Sequence, residues 1–317
     1  MTGTVYKSTG SWYQVKAQDG KIYNCRIKGK FRLKGIKSTN PVAVGDRVEF
    51  DLETNEDDAS IGVIKEIKER ENYIIRKSVN LSKQTHIIAS NIDQVFLIIT
   101  LNNPPTFTTF IDRFLVTAEA YDIKAVLLFN KIDSYNEEEL DEIKFLAALY
   151  REIGYECIGI SAKTGKNVDK VKEMMLGKTS MFSGHSGVGK STLVNALEPT
   201  LNLKTSEISD QHKQGQHTTT FAEMYDLSFD AQIIDTPGIK GFGVVDIEKE
   251  ELGNYFPEFF ALKKDCKFHN CLHIEEPKCA VKDALETGDV SWSRYKSYLQ
   301  IISGEEDNYR MDNFTKE

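Results

Sequence analysis

Over roughly the first 70 residues, apolar and polar positions alternate in short bursts: Thr2–Ser8, Trp12–Lys16, Ile22–Ile27, Arg47–Leu52 and Gly62–Ile67. Thr9-Gly10, Asp19-Gly20 and Gly45-Asp46 interrupt them. A period of two between glycine-marked turns predicts strands, and five at this spacing predict a small closed β-barrel of the OB-fold type. From about Tyr73 to Gly243 the pattern changes. Near-continuous apolar runs at Val95–Thr100, Ala125–Phe129, Cys157–Ile160, Ser180–Ser183 and Ala231–Ile234 alternate with helical spacing at Thr109–Tyr121 and Glu137–Ile153. Runs of this kind between helices predict parallel strands buried on both faces, hence a doubly wound α/β domain. From about Asp246 the period breaks again. Helical pieces flank a cysteine-rich segment at 266–279, and Ser291 is placed to cap a last helix through Ile302. The expected organisation is multidomain: a β-barrel over 1–72, an α/β domain over 73–243 and a helical region over 244–317.

Composition adds little to this and removes several classes. With 317 residues, 40% hydrophobic and 28% charged, the chain has enough apolar material for a sizeable core. No run approaches 18 consecutive apolar residues, so no membrane span or membrane partner is expected. Met1–Lys7 lacks the basic-then-apolar character of a signal peptide. Five cysteines with no disulfide-like spread suit a reducing, cytoplasmic compartment. The absence of heptads predicts a monomer. The net charge of −8 argues against a general nucleic-acid coat protein. Charge is locally polarised, however. Lys7 to Lys37 contains nine Lys or Arg and a single acid, whereas Asp46 to Asp58 contains seven acids and one base.

Gly184-His185-Ser186-Gly187-Val188-Gly189-Lys190-Ser191 matches the phosphate loop GxxxxGK[ST], between an apolar strand and a helix opening at Thr192. Its glycines allow consecutive backbone N–H groups to turn around a phosphate. Lys190 would reach the β and γ oxygens, and Ser191 would offer its hydroxyl to magnesium. The base is chosen by Asn130-Lys131-Ile132-Asp133, at the carboxyl end of a strand, where ligands bind in open α/β sheets. Asp133 can accept from N1–H and the exocyclic amino group of guanine. Adenine offers neither donor, so a buried aspartate would reject it by roughly 10⁴-fold or more. Asn130 would face the N7 side, with Lys131 along the base and ribose. Ser161-Ala162-Lys163 suits a backbone contact to guanine O6. Asp235 of Asp235-Thr236-Pro237-Gly238 would hold magnesium through water, while the Gly238 N–H senses the γ-phosphate. In His217-Thr218-Thr219-Thr220, Thr219 is the candidate that completes magnesium coordination. Ile239 stands where Ras-like proteins carry a water-orienting glutamine. Either His217 or a partner must therefore orient the attacking water, and hydrolysis without a partner should be slow.

The order of these elements is unusual. The guanine loops at 130 and 161 precede the phosphate loop at 184, which describes a circularly permuted GTPase. Permutation puts the Gly238 switch directly upstream of the C-terminal region, where movement on hydrolysis could be transmitted.

Cys266, Cys271, His273 and Cys279 give C-x₄-C-x-H-x₅-C, a closed tetrahedral set for one structural zinc ion, with His269 as an alternative to His273. Binding would contribute on the order of 10 kcal/mol to a segment too small to fold alone. Lys21, Arg26, Lys28, Lys30, Arg32, Lys34 and Lys37, with Tyr23 and Phe31 interleaved, suit an RNA backbone with stacked bases, with Lys28, Lys30, Arg32 and Lys34 as the candidate contacts. The competing reading of these lysines is a solvated surface.

The barrel, the order NKID–SAK–GHSGVGKS–GQHTTT–DTPG and the zinc spacing together resemble the ribosome small-subunit-dependent GTPase A family over nearly the whole chain. The resemblance implies a cytoplasmic protein that binds the small ribosomal subunit and its RNA, acts late in subunit maturation, and hydrolyses GTP to GDP and phosphate under stimulation by that subunit. It places guanine contacts at Asn130–Asp133, phosphate contacts at Gly184–Thr192 and zinc on Cys266, Cys271, His273 and Cys279, favouring His273 over His269. Two other classes compete: an RNA-binding module with GTP as a structural ligand, and a phosphate-loop kinase. The HTTT and Asp235 elements count against the first, NKID and the lack of an acceptor segment against the second. If the basic segment holds RNA electrostatically, the logarithm of the affinity should fall linearly with the logarithm of salt concentration. Filter binding from low to moderate salt measures this, and an affinity indifferent to salt would remove the electrostatic reading.

Overall fold

The computed structural model describes residues 1–27, 41–54, 60–77, 85–201, 222–235 and 247–304. The chain forms two compact units. The first comprises Met1–Phe96, Ala162–Ser183 and Gly189–Lys240; the second comprises Leu97–Ser161, Gly184–Val188 and Gly241–Glu317.

In the first unit, β1 (Thr2–Ser8), β2 (Tyr13–Ala17), β3 (Ile22–Ile27), β4 (Arg47–Thr54) and β5 (Ser60–Ile67) close a barrel in the order β1-β2-β3-β5-β4-β1. Only the β3–β5 pairing is parallel. Inward positions follow the predicted alternation: Val5, Tyr13, Val15, Ala17, Cys25, Val48, Phe50 and Ile64 are buried together. Gly62 is required where β3 and β5 meet, because a Cβ there would lie 2.2 Å from the Cys25 sulfur. Burial pushes the Cys25 thiol up to about 12, which makes it an inert core group.

All five expected barrel strands begin and end within two residues of their predicted bounds, and β1 and β3 match at both ends. Two features were not predicted. A separate two-stranded sheet pairs β6 (Tyr73–Lys77) with β7 (Thr85–Ser90). In addition, β12 (Glu223–Leu227) runs antiparallel to β13 (Ala231–Asp235), whereas β11 (Thr179–Ser183) and β13 are parallel as expected. The tight turn Ser228–Asp230 dictates the antiparallel sense, since a parallel neighbour needs a crossover of a dozen or more residues.

A bulge between Val5 and Lys7 lets β1 pair with β2 along its length and meet β12 at Lys7↔Glu223. Side chains fasten this junction. Lys7 Nζ lies 2.9 Å from Glu223 Oε2, while Tyr6 Oη and Lys16 Nζ donate to the two oxygens of Asp226 at 2.7 and 2.6 Å. Helices α3 (Val168–Met175) and α4 (Lys190–Leu197) bury Val168, Val171, Met175, Leu193, Val194 and Leu197.

In the second unit, β9 (Lys124–Phe129) and β10 (Glu156–Gly159) pair in parallel; β8 (Gln94–Ile99), whose residues to Phe96 belong to the first unit and from Leu97 to the second, is buried along its whole length. Helices α1 (Thr108–Ala120) and α2 (Glu137–Ile153) stand close to prediction. Helix α2 is fixed at both ends: Asn136 and Glu139 form a reciprocal capping box, and Gly154 closes the C-terminus at φ 115°. The C-terminal region adds α5 (Lys249–Leu252), α6 (Pro257–Lys263), α7 (Ala280–Thr287) and α8 (Trp292–Ser303). Ser291 is the N-cap of α8 as expected, but its hydroxyl meets that of Ser293 rather than a backbone N–H. Phe256, Phe259, Val281, Tyr295 and Tyr298 form the core here, joined by Val116 of α1.

Arg294 of α8 is fully buried in this unit. It donates to Asp112 Oδ1 at 2.8 Å and to both oxygens of Glu258 at 2.7 and 3.1 Å; Tyr150 Oη also donates to Asp112 at 2.8 Å. Burial alone would lower its pKa, but the facing carboxylates hold it well above its ordinary value, so it stays charged. A lone buried guanidinium would cost several kcal/mol, and the pairing offsets that cost only because the bonds are short and numerous. Among the described residues, no helix is long and apolar enough to cross a membrane.

Glu198, at the end of α4, is buried and accepts from the Ser228 N–H at 2.7 Å and from Thr200 Oγ1 at 2.5 Å, which lowers its carboxyl from 4.5 to about 2. A lowered carboxyl contributes stability above its unfolded pKa and loses it as pH falls toward the folded value. Glu198→Gln should therefore lower the urea midpoint at pH 7, with the gap to the parent shrinking between about 4.5 and 2. Urea unfolding at pH 7 and pH 3 checks this; an unchanged gap would refute it.

Candidate functional site

Residues 184–188 of the phosphate loop belong to the second unit and leave β11 in a conformation only glycine tolerates. Gly184 has φ 144°, and a Cβ on it would stand 2.7 Å from the Ile98 carbonyl oxygen. The loop is then held residue by residue. Asn130, at the end of β9 and 2% exposed, donates from Nδ2 to the Val188 oxygen at 2.8 Å. Lys131, at φ 68°, donates from Nζ to the Gly187 oxygen at 2.9 Å and to the Asn103 oxygen at 2.5 Å. Burial pushes the Lys131 pKa down. Gly187 lies against Pro104, and the His185 imidazole packs at a tilt on Phe110 of α1 with centroids 3.9 Å apart.

The structure thus brings the guanine loop and the phosphate loop together within one unit. Asn130 and Lys131 both hold the loop backbone through their side chains. Ile132 packs beside Gly159 and donates its N–H to the Ile160 oxygen at 3.2 Å, which anchors the turn. Asp133 is exposed, Ser161 is fully buried, and Ser186 and Gly187 are exposed.

The remaining motif residues lie in the first unit. Gly189 (φ 101°) is the N-cap of α4, which starts at Lys190 two residues earlier than predicted. The first N–H groups of a helix lack intrahelical partners and face an anion. Burial pushes the Lys190 pKa down to about 8, partly opposed by the charge of Asp235 at the end of β13. Ser191 is buried and Thr192 half-buried; Ala162 is buried and Lys163 exposed. His217, Thr219, Gly238 and the basic residues Lys28, Lys30, Arg32 and Lys34 lie outside the described residues. Sequence reasoning missed Phe110 and Asn103 as partners of the loop. Phe110 carried only the signal of an apolar helix position.

The second unit also gathers Cys266, Cys271, His273 and Cys279, whose ligand atoms all lie within 4.8 Å of one another. His273 Nδ1 is 3.3 Å from Cys279 Sγ and 3.7 Å from Cys266 Sγ. Zn–S and Zn–N bond lengths imply tetrahedral edges of about 3.6 Å, so these residues fit a divalent metal such as zinc. His269 is exposed and outside the group. The knot is built for rigidity. Glu276 accepts from the Leu272 and Ile274 N–H groups, and Tyr295 and Tyr298 donate to the His273 and Leu272 oxygens at 2.6 Å. Burial holds His273 below its ordinary pKa, which favours the neutral imidazole that a metal needs. Cys25 and Cys157 are buried elsewhere, as expected of core thiols.

Comparison with known proteins agrees with this geometry. The RsgA GTPase family model matches residues 67–245, and the RsgA N-terminal domain model matches residues 2–61. A protein of Christiangramia forsetii named "Small ribosomal subunit biogenesis GTPase RsgA" is 79% identical over 316 residues, covering 100% of both chains. A Bacteroides fragilis protein of the same name is 57% identical, covering 98% of this chain and 99% of its own. Among solved structures, YjeQ from Thermotoga maritima matches with TM-score 0.76 and 34% identity, over 96% of this chain and 97% of that one. YloQ, described as a circularly permuted GTPase, matches with TM-score 0.74 and 32% identity, over 99% and 96%. The chain belongs to the RsgA GTPase family, a family of GTP hydrolases.

The cluster generates a direct test. The purified parent should carry about one equivalent of a tetrahedrally bound metal. Cys279→Ser should lower that content and the thermal midpoint together, because binding and folding of such a segment are linked. Elemental analysis beside a thermal melt reads both; full metal content in the variant would remove Cys279 from the ligand set.

Proposed function

We propose that this member of the RsgA GTPase family hydrolyses GTP to GDP and phosphate in response to the small ribosomal subunit, as a late maturation factor for that subunit. The observation that carries the reading is the clamp of Asn130 and Lys131 on the carbonyls of Val188 and Gly187. It joins a base-reading loop to a phosphate loop in the permuted order. The names of the relatives supply the partner: proteins 79% and 57% identical are called small ribosomal subunit biogenesis GTPases.

The site residues take the following roles. Asp133 accepts from guanine, and Ser161-Ala162-Lys163 borders the base. Backbone N–H groups of Gly184–Thr192 surround the phosphates, and Lys190 sets its ammonium against the charge that develops on the β and γ oxygens. Magnesium, when bound with GTP, neutralises the same charge; Ser191 and Thr219 would hold it directly and Asp235 through water. Gly238 senses the γ-phosphate. His217, or a group from the ribosome, orients the water, since Ile239 cannot. Zinc on Cys266, Cys271, His273 and Cys279 fixes the C-terminal region, and no open position remains for chemistry there. The basic segment with Lys28, Lys30, Arg32 and Lys34 binds ribosomal RNA. The domain bounds are 1–72, 73–243 and 244–317, and the protein acts in the cytoplasm as a monomer.

GTP turnover measured alone, with small subunits and with large subunits tests this reading. Small subunits alone should raise the rate by at least about tenfold, since a trans-acting group can contribute far more than that. His217→Ala should then reduce the stimulated rate. Absence of turnover under all three conditions would revive a binding module with GTP as a structural ligand, and equal stimulation by both subunits would remove the named partner.

A further inference from the structure

The phosphate loop is held on one side by the guanine loop; on the other side it meets an aromatic ring. We propose that Phe110 of α1 is a positioning residue for nucleotide binding, acting through His185; this rests on the GTPase reading of the site. The two rings sit 3.9 Å apart and are tilted by 34°, closer than the usual spacing of aromatic pairs. His185 is the residue after Gly184, whose φ of 144° gives the loop its freedom to turn. Pinning the next side chain therefore removes much of the conformational freedom that the glycine introduces.

The platform itself is fixed. Two residues beyond Phe110, Asp112 is locked by Arg294 and Tyr150 at 2.8 Å each, and one residue before it, Thr109 Oγ1 donates to Gln300 Oε1 at 2.9 Å. A ring on a helix held this firmly restrains a loop better than a ring on another loop would. Phe110 lies on α1, outside the loops that carry the guanine and phosphate motifs, so its contribution is pre-organisation of the loop through His185. Its loss makes the nucleotide order the loop on binding, which weakens affinity and raises KM. Once GTP is bound the loop is ordered in either case, and kcat is largely kept.

Fluorescent GDP and a fluorescent non-hydrolysable GTP analogue give Kd, and turnover with small subunits separates KM from kcat. Phe110→Leu and His185→Ala should each weaken binding by about three- to tenfold, the size of one aromatic pair. The double variant should be no weaker than the poorer single one, and Phe110→Tyr should restore parental affinity. Parental affinity in both single variants, additive losses in the double variant, or an equal loss in Phe110→Tyr would each overturn the proposal. If Phe110→Leu does not fold, His185→Ala decides the matter: weaker binding at an unchanged thermal midpoint supports it, and unchanged binding overturns it. Failure of the parent to bind either nucleotide would instead count against the GTPase reading.

Discussion

The hydrogen bond from Asn130 to the Val188 carbonyl fixes the geometry of the Gly184–Val188 loop. It spans 58 residues of chain and joins the end of β9 to the loop after β11. Asn130 is buried, so breaking the bond would leave a desolvated amide, at a cost of about 1–3 kcal/mol. Lys131 repeats the tie one residue away on each side, to the Gly187 carbonyl. Two consecutive residues thus hold two consecutive carbonyls. A loop tied in this way by its carbonyls has little freedom to rearrange. The contact is indifferent to chain order, which is why a permuted sequence can build the same site.

The second unit carries a parallel constraint in charged form. Arg294 brings together Asp112 from α1, Glu258 from α6 and, through Asp112, Tyr150 from α2. Its guanidinium also lies 4.5 Å from the centre of the Phe256 ring. Phe256 belongs to the same core as Cys271 and Cys279, so the metal-ligand cluster and the seat of α1 share one packed interior. A bidentate bond to Glu258 needs a planar fork, so lysine could not replace Arg294 at equal cost.

Much of this was legible in the sequence, for identifiable reasons. Strands β1 and β3 and helix α2 matched their predicted bounds because alternation, glycine turns and a capping box all point the same way. The metal ligands were readable because chemistry restricts both residue type and spacing. The orientation of the motif residues was less legible. Asn130 and Lys131 were read only as base contacts, and the structure shows that both also hold the loop backbone. No residue pattern encodes those bonds, which depend on carbonyls 56 to 58 positions away. Phe110 was invisible for the same reason. The β6–β7 pair was missed because its strands are short and, apart from a bridge to Val44, they pair only with each other. Strand β12 was missed because a five-residue strand between a polar segment and a turn carries little periodicity.

The bulge in β1 shows how a local irregularity decides the architecture of the first unit. A strand offers an edge wherever its backbone N–H and C=O groups are unpaired, and β4 covers that edge of β1 only over Thr2–Thr4, which leaves Lys7 to pair with Glu223 of β12. The extra residue between Val5 and Lys7 breaks the alternation after Val5 has entered the barrel core. The chain then turns Lys7 toward Glu223, and Tyr6 reaches Asp226 with Lys16 from β2. Surface ion pairs of this kind contribute little each, so the junction depends on the backbone bridge and on three side chains converging at two carboxylates. One strand thereby belongs to both the barrel and the sheet carrying β12 and β13. This is why the barrel and the strand that ends at Asp235 form a single compact unit despite lying some 220 residues apart in the chain.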